Sequence, residues 1–145
     1  MPRVSRRRRL DASPGDVWRV VSDPYHLPRW WPRTQRVENV SSGAPKGRKW
    51  TQVLETRDGR GVRADFRCVS AAEGERYVFE QLIAGTPFER IVREARTEIR
   101  MNAEDGGTSV TMTTEQKLRG LSKLGGFMMR RAMRRTLSEA LSGLD

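Results

Sequence analysis

The sequence predicts an α+β fold in which a seven-stranded antiparallel sheet curls around one long C-terminal helix. Between Thr34 and Leu118, apolar residues tend to recur at every second position, which is typical of strands with one covered face. From Met129 onward they recur at helical spacing, which indicates an amphipathic helix. The turns between the predicted strands are short, so most neighbouring strands are expected to run antiparallel.

The N-terminal segment predicts one strand, one helix and one further helical turn. The strand covers Arg3–Asp11, and a helix follows in which Ser13 is the N-cap and Pro14 the first residue. The helix ends at Asp23-Pro24, because a residue that precedes proline avoids the helical region. Tyr25–Trp31 then forms one short helical turn.

The middle of the chain predicts six further strands. Asp58-Gly59 is a hairpin signal between two of them. The alternation is clear where Val62, Ala64, Phe66 and Cys68 occupy every second position between mostly charged residues. The six predicted strands are Thr34–Val40, Arg48–Thr56, Gly61–Ser70, Arg76–Ala84, Phe88–Met101 and Thr108–Leu118.

The C-terminal helix has an apolar stripe and a basic face. The stripe is expected to pack on the sheet; it consists of Met129, Ala132, Met133, Thr136, Leu137, Ala140 and Leu144. The basic face carries Arg130, Arg131, Arg134 and Arg135. It is either an ordinary solvated face or a contact surface for an anionic membrane. Nucleic-acid binding is disfavoured, because no aromatic residues lie between the arginines to stack on bases.

Length and composition favour one globular domain, residues 1–145, in the cytoplasm. The net charge is +10, but the arginines are spread along the whole chain, which favours a solvated surface over a dedicated binding patch. The single cysteine, Cys68, excludes an internal disulfide and cannot hold a metal by itself. No apolar run is long enough to span a membrane, and no apolar stretch follows the arginines near the N-terminus. The sequence does not indicate an oligomeric state.

The ordered set of segments resembles the START-like (SRPBCC) superfamily, which has the helix-grip fold. The branch it most resembles is the polyketide cyclase/dehydrase and lipid-transport branch. The resemblance implies a cavity between sheet and terminal helix that holds an apolar or aromatic, polyketide- or lipid-like small molecule. Four segments carry it: DASPGDVWRVVSDPYHLPRWWP (Asp11–Pro32), GRGVRADFRC (Gly59–Cys68), GGTSVTMTTEQ (Gly106–Gln116) and RRAMRRTLSEALSGLD (Arg130–Asp145).

Motifs for acid–base or metal chemistry are missing from the sequence. His26 is the only histidine, and no paired carboxylates, metal-ligand cluster or phosphate-binding loop accompany it. No cofactor and no metal are therefore expected. A binding or carrier protein is favoured. The alternative is a cyclase- or aromatase-like enzyme, which can work largely by positioning its substrate. A basic adaptor that acts through its surface is a third hypothesis.

Several polar residues are expected to face the cavity. Gln52 shares a face with Trp50, and Gln116 lies on the apolar face of its strand. Arg93 belongs by alternation to the inward set of its strand. It either pairs with ligand oxygen atoms, is turned outward by a bulge, or lies near the rim of the sheet. The predicted ligand-binding residues are Tyr25, Trp30, Trp31, Gln52, Phe66, Arg93, Gln116, Gly125 and Met129.

A pair of adjacent glycines and a pair of adjacent tryptophans each leave two alternatives open. Gly125 and Gly126 either leave room for a ligand above the sheet or mark a helix start or kink. In LPRWWPRT, adjacent helical residues point about 100° apart, so one of Trp30 and Trp31 is expected to face the cavity or core. The other is expected to pack partly exposed, under Arg29 or Arg33.

Overall fold

The computed structural model describes residues 3–55, 61–90, 92–118 and 123–145. It contains seven strands, three α-helices and two short 3₁₀ helices in these ranges. In chain order they are β1 (Arg3–Leu10), α1 (Pro14–Val21), a 3₁₀ helix (Pro24–His26), α2 (Leu27–Trp30), β2 (Thr34–Glu38), β3 (Lys49–Glu55), β4 (Gly61–Ala72), β5 (Arg76–Leu82), a second 3₁₀ helix (Pro87–Arg90), β6 (Val92–Glu104), β7 (Gly107–Leu118) and α3 (Lys123–Leu144).

The seven strands form one antiparallel sheet in the order β1-β7-β6-β5-β4-β3-β2. Strands β1 and β2 are close in sequence but lie at opposite edges, and α1 and α2 connect them. Helix α3 packs across the concave face, where Met133, Leu137, Ala140 and Leu141 join the buried core. The predicted fold class, a seven-stranded antiparallel sheet around a long C-terminal helix, is confirmed.

Helix α1 begins and ends through local hydrogen bonds. Its N-cap hydroxyl, Ser13 Oγ, accepts a hydrogen bond from the backbone N–H of Asp16 at 3.2 Å. At the other end, Ser22 Oγ donates to the carbonyl oxygen of Trp18 at 2.6 Å. The apolar stripe of this helix, which includes Val17 and Val21, is buried against the sheet. The N-cap assigned from the sequence is therefore correct.

Ion pairs between side chains of different strands lie on the outer face of the sheet. Glu80 on β5 accepts from Arg67 on β4 at 2.6 Å and lies 3.5 Å from Arg96 on β6. Glu38 on β2 pairs with Arg63 on β4 at 3.3 Å. Exposed pairs of this kind contribute about 0–1 kcal/mol each. Much of the arginine content therefore forms a solvated, partly paired surface.

The predicted start of the sixth strand is wrong. The strand was expected from Phe88, but residues Pro87–Arg90 form a 3₁₀ helix and β6 begins at Val92. Proline fixes φ and removes a backbone donor, which favours a turn at this point. The turn is closed by Glu89, whose carboxylate accepts a hydrogen bond from the backbone N–H of Gly85 at 3.1 Å.

In the described part of the chain, no helix is long and apolar enough to cross a membrane.

Candidate ligand-binding cavity

A cavity of about 250 Å³ lies between the concave face of the sheet and α3. Its walls come from the corner after α2, from the middle strands β3 to β7, and from the buried face of α3. The lining residues are Trp31, Gln52, Leu54, Phe66, Phe79, Gln81, Ala95, Thr97, Thr114, Gln116, Met129, Ala132, Met133 and Thr136.

Aromatic rings form one wall of the cavity. Trp31 meets Phe79 edge to face, with ring centroids 5.8 Å apart at an angle of 78°. Phe66 meets Phe79 in the same way at 6.0 Å, and behind it Trp50 lies nearly parallel to Phe66. Aromatic rings prefer such edge-to-face or offset arrangements, so this wall suits a planar aromatic guest.

The two adjacent tryptophans both turn inward, because they belong to different local structures. Trp30 is the last residue of α2 and is 3% exposed. Trp31 has left the helix, with ψ at 127°, so the angular rule for neighbouring helical residues does not apply to it. Its half-buried ring lines the cavity and meets the ring of Trp30 edge to face at 5.5 Å. The sequence predicts one inward ring and one partly exposed ring. In the structure Trp30 is buried in the core, and Trp31 is half-buried but also faces inward, onto the cavity.

Gln52 is a fully buried amide whose polar atoms are both occupied. Its Oε1 accepts from Nε1 of Trp50 at 3.1 Å, and its Nε2 donates to Oγ1 of Thr34 at 3.3 Å. The side chain is 1% exposed. Gln52 therefore ties β3 to β2 and orients the indole of Trp50, while its side chain forms part of the cavity wall.

Gln116 is a second glutamine that lines the cavity. Its Oε1 is buried and has no hydrogen-bond partner among the described residues. Two nearby hydroxyls, on Thr97 and Thr114, are hydrogen-bonded to each other at 3.1 Å. A buried acceptor without a partner costs free energy, and a ligand that donates a hydrogen bond removes that cost.

A second, wider space, here called the mouth, adjoins the cavity. This adjoining space, about 560 Å³, lies between the Trp31–Arg33 corner, the end of β3 and Phe88. It shares Trp31, Leu54 and Thr136 with the inner cavity, so the two spaces meet at those side chains. Arg33 at this corner adopts a positive φ of 62°, which is uncommon for a residue other than glycine.

The structure brings together five of the nine predicted ligand-binding residues: Trp31, Gln52, Phe66, Gln116 and Met129 line the cavity. Trp30 lies in the core next to Trp31 instead. Gly125 lies in the first turn of α3, and the side chains of residues 123–127, and so its surroundings, lie outside the described residues. Its role stays a prediction.

Tyr25 and Arg93 lie outside the inner cavity. Tyr25 is 64% exposed in the 3₁₀ helix at Pro24–His26. Arg93 is exposed because the register between β6 and β7 shifts between Val92 and Glu94, which breaks the alternation at this point. Of the alternatives that the sequence leaves open for Arg93, the structure has the bulge.

Two cavity residues on β5 were missed by the sequence reasoning. Phe79 and Gln81 line the cavity together with the predicted residues. The signal was present, since Tyr77, Phe79 and Gln81 occupy alternate positions of one predicted strand and therefore share a face.

The buried titratable groups belong to the core rather than to the cavity. Burial raises the pKa of the Cys68 thiol above its ordinary value of 9.0 and raises the pKa of the Tyr77 hydroxyl well above 10.0.

His26 lies 3.6 Å from the carboxylate of Asp23 at the corner before α2. Among the described residues, no three histidines, cysteines or carboxylates lie together as metal ligands would.

A concave antiparallel sheet, gripped around one long helix with an apolar cavity between them, defines the START-like class of proteins. Within this class, the chain belongs to the family described as polyketide cyclase / dehydrase and lipid transport, whose model matches residues 1–145. No curated protein matches the sequence significantly.

Solved structures share the fold at low sequence identity. A START superfamily protein from Mycobacterium smegmatis is 14% identical with a TM-score of 0.77, covering 98% of this chain and 93% of its own. The di-domain ARO/CYC StfQ from the steffimycin biosynthetic pathway is 15% identical with a TM-score of 0.77, covering 99% of this chain and 48% of its own. A Rhodobacter sphaeroides protein is 21% identical with a TM-score of 0.71, covering 99% of this chain and 89% of its own.

Proposed function

We propose that this protein binds a small aromatic molecule of polyketide- or lipid-like chemistry that donates a hydrogen bond inside the cavity. The observation that carries the proposal is the buried, unpartnered Oε1 of Gln116, which lies in the same cavity as the aromatic wall of Trp31, Phe66 and Phe79. A phenolic or enolic O–H satisfies both features, because it combines a planar ring with a donor.

The volume of the cavity limits what its inner part accepts. An apolar cavity of about 150 Å³ holds a benzene ring. The inner cavity of about 250 Å³ therefore suits one ring or two fused rings rather than an extended acyl chain. The remainder of a larger ligand would occupy the mouth beside Trp31 and Phe88.

Binding is favoured over catalysis by the chemistry of the lining. Within the part of the chain that the structure describes, the inner cavity is lined by apolar, threonine and glutamine side chains, none of which titrates near neutral pH. The cyclase alternative is supported by the description of the family and by the likeness to StfQ. Such an enzyme would have to act by positioning its substrate.

The binding test compares 2-naphthol with naphthalene by titration calorimetry. Wild-type protein is expected to bind the naphthol about fivefold to tenfold more tightly, because only the naphthol donates to Gln116. Gln116→Leu should abolish this preference and still bind naphthalene. Gln35→Leu, at an exposed glutamine of β2, is the matched control and should leave the preference unchanged.

Two results would overturn the proposal: neither compound binds, or the preference for 2-naphthol persists in Gln116→Leu. Native mass spectrometry of the purified protein separates carrier from enzyme. A retained aromatic molecule that is recovered unchanged after incubation supports the carrier, and its conversion to a cyclised product supports the alternative.

A further inference from the structure

We propose a second opening to the cavity, between β5 and β6, where Arg93 binds the acidic group of an amphipathic aromatic ligand. This inference rests on the proposed function, because the aromatic part of such a ligand would occupy the cavity described above. It adds an anion subsite in the space that adjoins the cavity at Gln81 and Ala95.

The two strands separate before they end. The pairing of β5 with β6 runs from Arg76–Arg100 to Glu80–Arg96 and stops there within the described residues. Both strands continue beyond this point. There β5 pairs only with β4, as far as Leu82, and β6 pairs only with β7, back to Val92. The sheet therefore has a gap at this end, and β6 is kinked there by its register shift.

A space of about 470 Å³ occupies this gap. Its lining includes the consecutive runs Glu80–Ala84 and Arg93–Arg96. Successive residues of a strand point to opposite faces of a sheet. The space is lined by consecutive residues from both sides, so it lies where the pairing of β5 with β6 ends.

The gap meets the inner cavity at two residues. Gln81 and Ala95 line both spaces. Ala95 contributes only a methyl group, so the side chain of Gln81 is the larger group at the junction. Ala95 also pairs across the sheet with Gln116, which places the unpartnered acceptor of the cavity next to this junction.

Arg93 is the cation of the gap whose charge is not offset nearby. The two carboxylates of the lining are engaged elsewhere: Glu80 with Arg67 and Arg96, and Glu94 with Lys117 at 3.1 Å. Arg93 has no carboxylate within 4.0 Å among the described residues, although it lies in the same space. A guanidinium in this position is suited to bind a carboxylate in a bidentate manner.

The ligand that fits both features is an aryl-alkanoic acid. Its ring would occupy the cavity against Phe79, its short chain would pass Gln81, and its carboxylate would reach Arg93. The probes for this class are 3-(2-naphthyl)propanoate and its uncharged counterpart, 3-(2-naphthyl)propan-1-ol, titrated against wild-type protein and variants by calorimetry.

Arg93→Gln is expected to weaken binding of the acid about tenfold and to leave the alcohol unchanged, because only the acid makes the charge-assisted contact. Arg100→Gln, on the same strand but outside the gap and paired with Glu98, is the matched control and should change neither affinity. Arg33→Gln at the mouth tests the competing position of the carboxylate and should not weaken binding of the acid relative to the alcohol.

Three outcomes would overturn the subsite. Unchanged affinity of the acid in Arg93→Gln overturns the subsite. Loss of affinity in Arg33→Gln instead places the carboxylate at the mouth and also overturns it. If the wild-type protein binds neither the acid nor the alcohol, the proposed ligand-binding function itself fails, and the subsite fails with it.

Discussion

The indole ring of Trp31 and the phenyl ring of Phe79 meet edge to face with centroids 5.8 Å apart. This contact joins the corner after α2 to the middle of the sheet, and both rings line the inner cavity. Trp31 also meets Trp30 edge to face. The two tryptophans are therefore adjacent but have different roles: Trp30 packs in the core, and Trp31 forms part of the cavity wall.

Replacing each tryptophan by alanine should separate these roles. Trp30→Ala removes a side chain that is 3% exposed and is expected to lower the free energy of unfolding by about 3–5 kcal/mol. Trp31→Ala should cost less stability, because its ring is half-buried, but should weaken binding of 2-naphthol. Urea denaturation and calorimetry measure the two effects. Equal loss of stability in both variants would contradict the assignment.

Gln52 and Gln116 should respond differently to replacement by leucine. Gln52→Leu leaves the N–H of Trp50 and the hydroxyl of Thr34 without their partner and should destabilise the fold by about 1–3 kcal/mol. Gln116→Leu removes an acceptor that has no described partner, so its stability should be unchanged or higher. Denaturation midpoints measured without ligand test this contrast. A larger loss in Gln116→Leu than in Gln52→Leu would refute it.

Gly143 should not accept a side chain. A Cβ at this position in α3 would lie 2.5 Å from the carbonyl oxygen of Trp30 and 2.8 Å from its Cα. Backbone atoms cannot move aside cheaply, so Gly143→Ala is expected to cost about 1–3 kcal/mol. Gly15→Ala in α1 is the control, because its nearest neighbour would be 3.9 Å away. It should stabilise the protein by up to about 1 kcal/mol. Thermal melts of the two variants should shift in opposite directions.

Stability should fall in alkaline solution because of Cys68 and Tyr77. Burial raises the pKa of both groups in the folded state above their ordinary values of 9.0 and 10.0. The unfolded chain therefore loses these protons first as the pH rises. Their contribution is complete below about pH 8 and declines above about pH 9 to 10.

Urea midpoints measured from about pH 8 to 11 test this expectation. The variant Tyr77→Phe should flatten the decline above the ordinary pKa of tyrosine, because it removes one of the two protons. The variant Arg100→Gln, which changes a charge exposed on β6, should decline as the wild type does. A slope in Tyr77→Phe equal to that of the wild type would show that Tyr77 does not carry the effect.

Most of the fold could be predicted from local patterns. The alternation of Val62, Ala64, Phe66 and Cys68 assigned the inward face of β4 correctly, because a strand with one covered face needs an apolar residue at every second position. The spacing of Met133, Leu137 and Ala140 gave the buried stripe of α3 for the corresponding helical reason. Register shifts are not visible in such patterns, so alternation alone leaves the orientation of Arg93 open.

By itself, the sequence determined the order of the elements, the class of fold and five of the residues that line the cavity. The tertiary structure decided which polar atoms find partners: Gln52 bonds to Trp50 and Thr34, whereas the Oε1 of Gln116 has no partner among the described residues. It also decided where β5 and β6 separate. Periodicity is set within a few residues of chain, whereas hydrogen-bond satisfaction and strand separation depend on groups that are distant in sequence and meet only after folding.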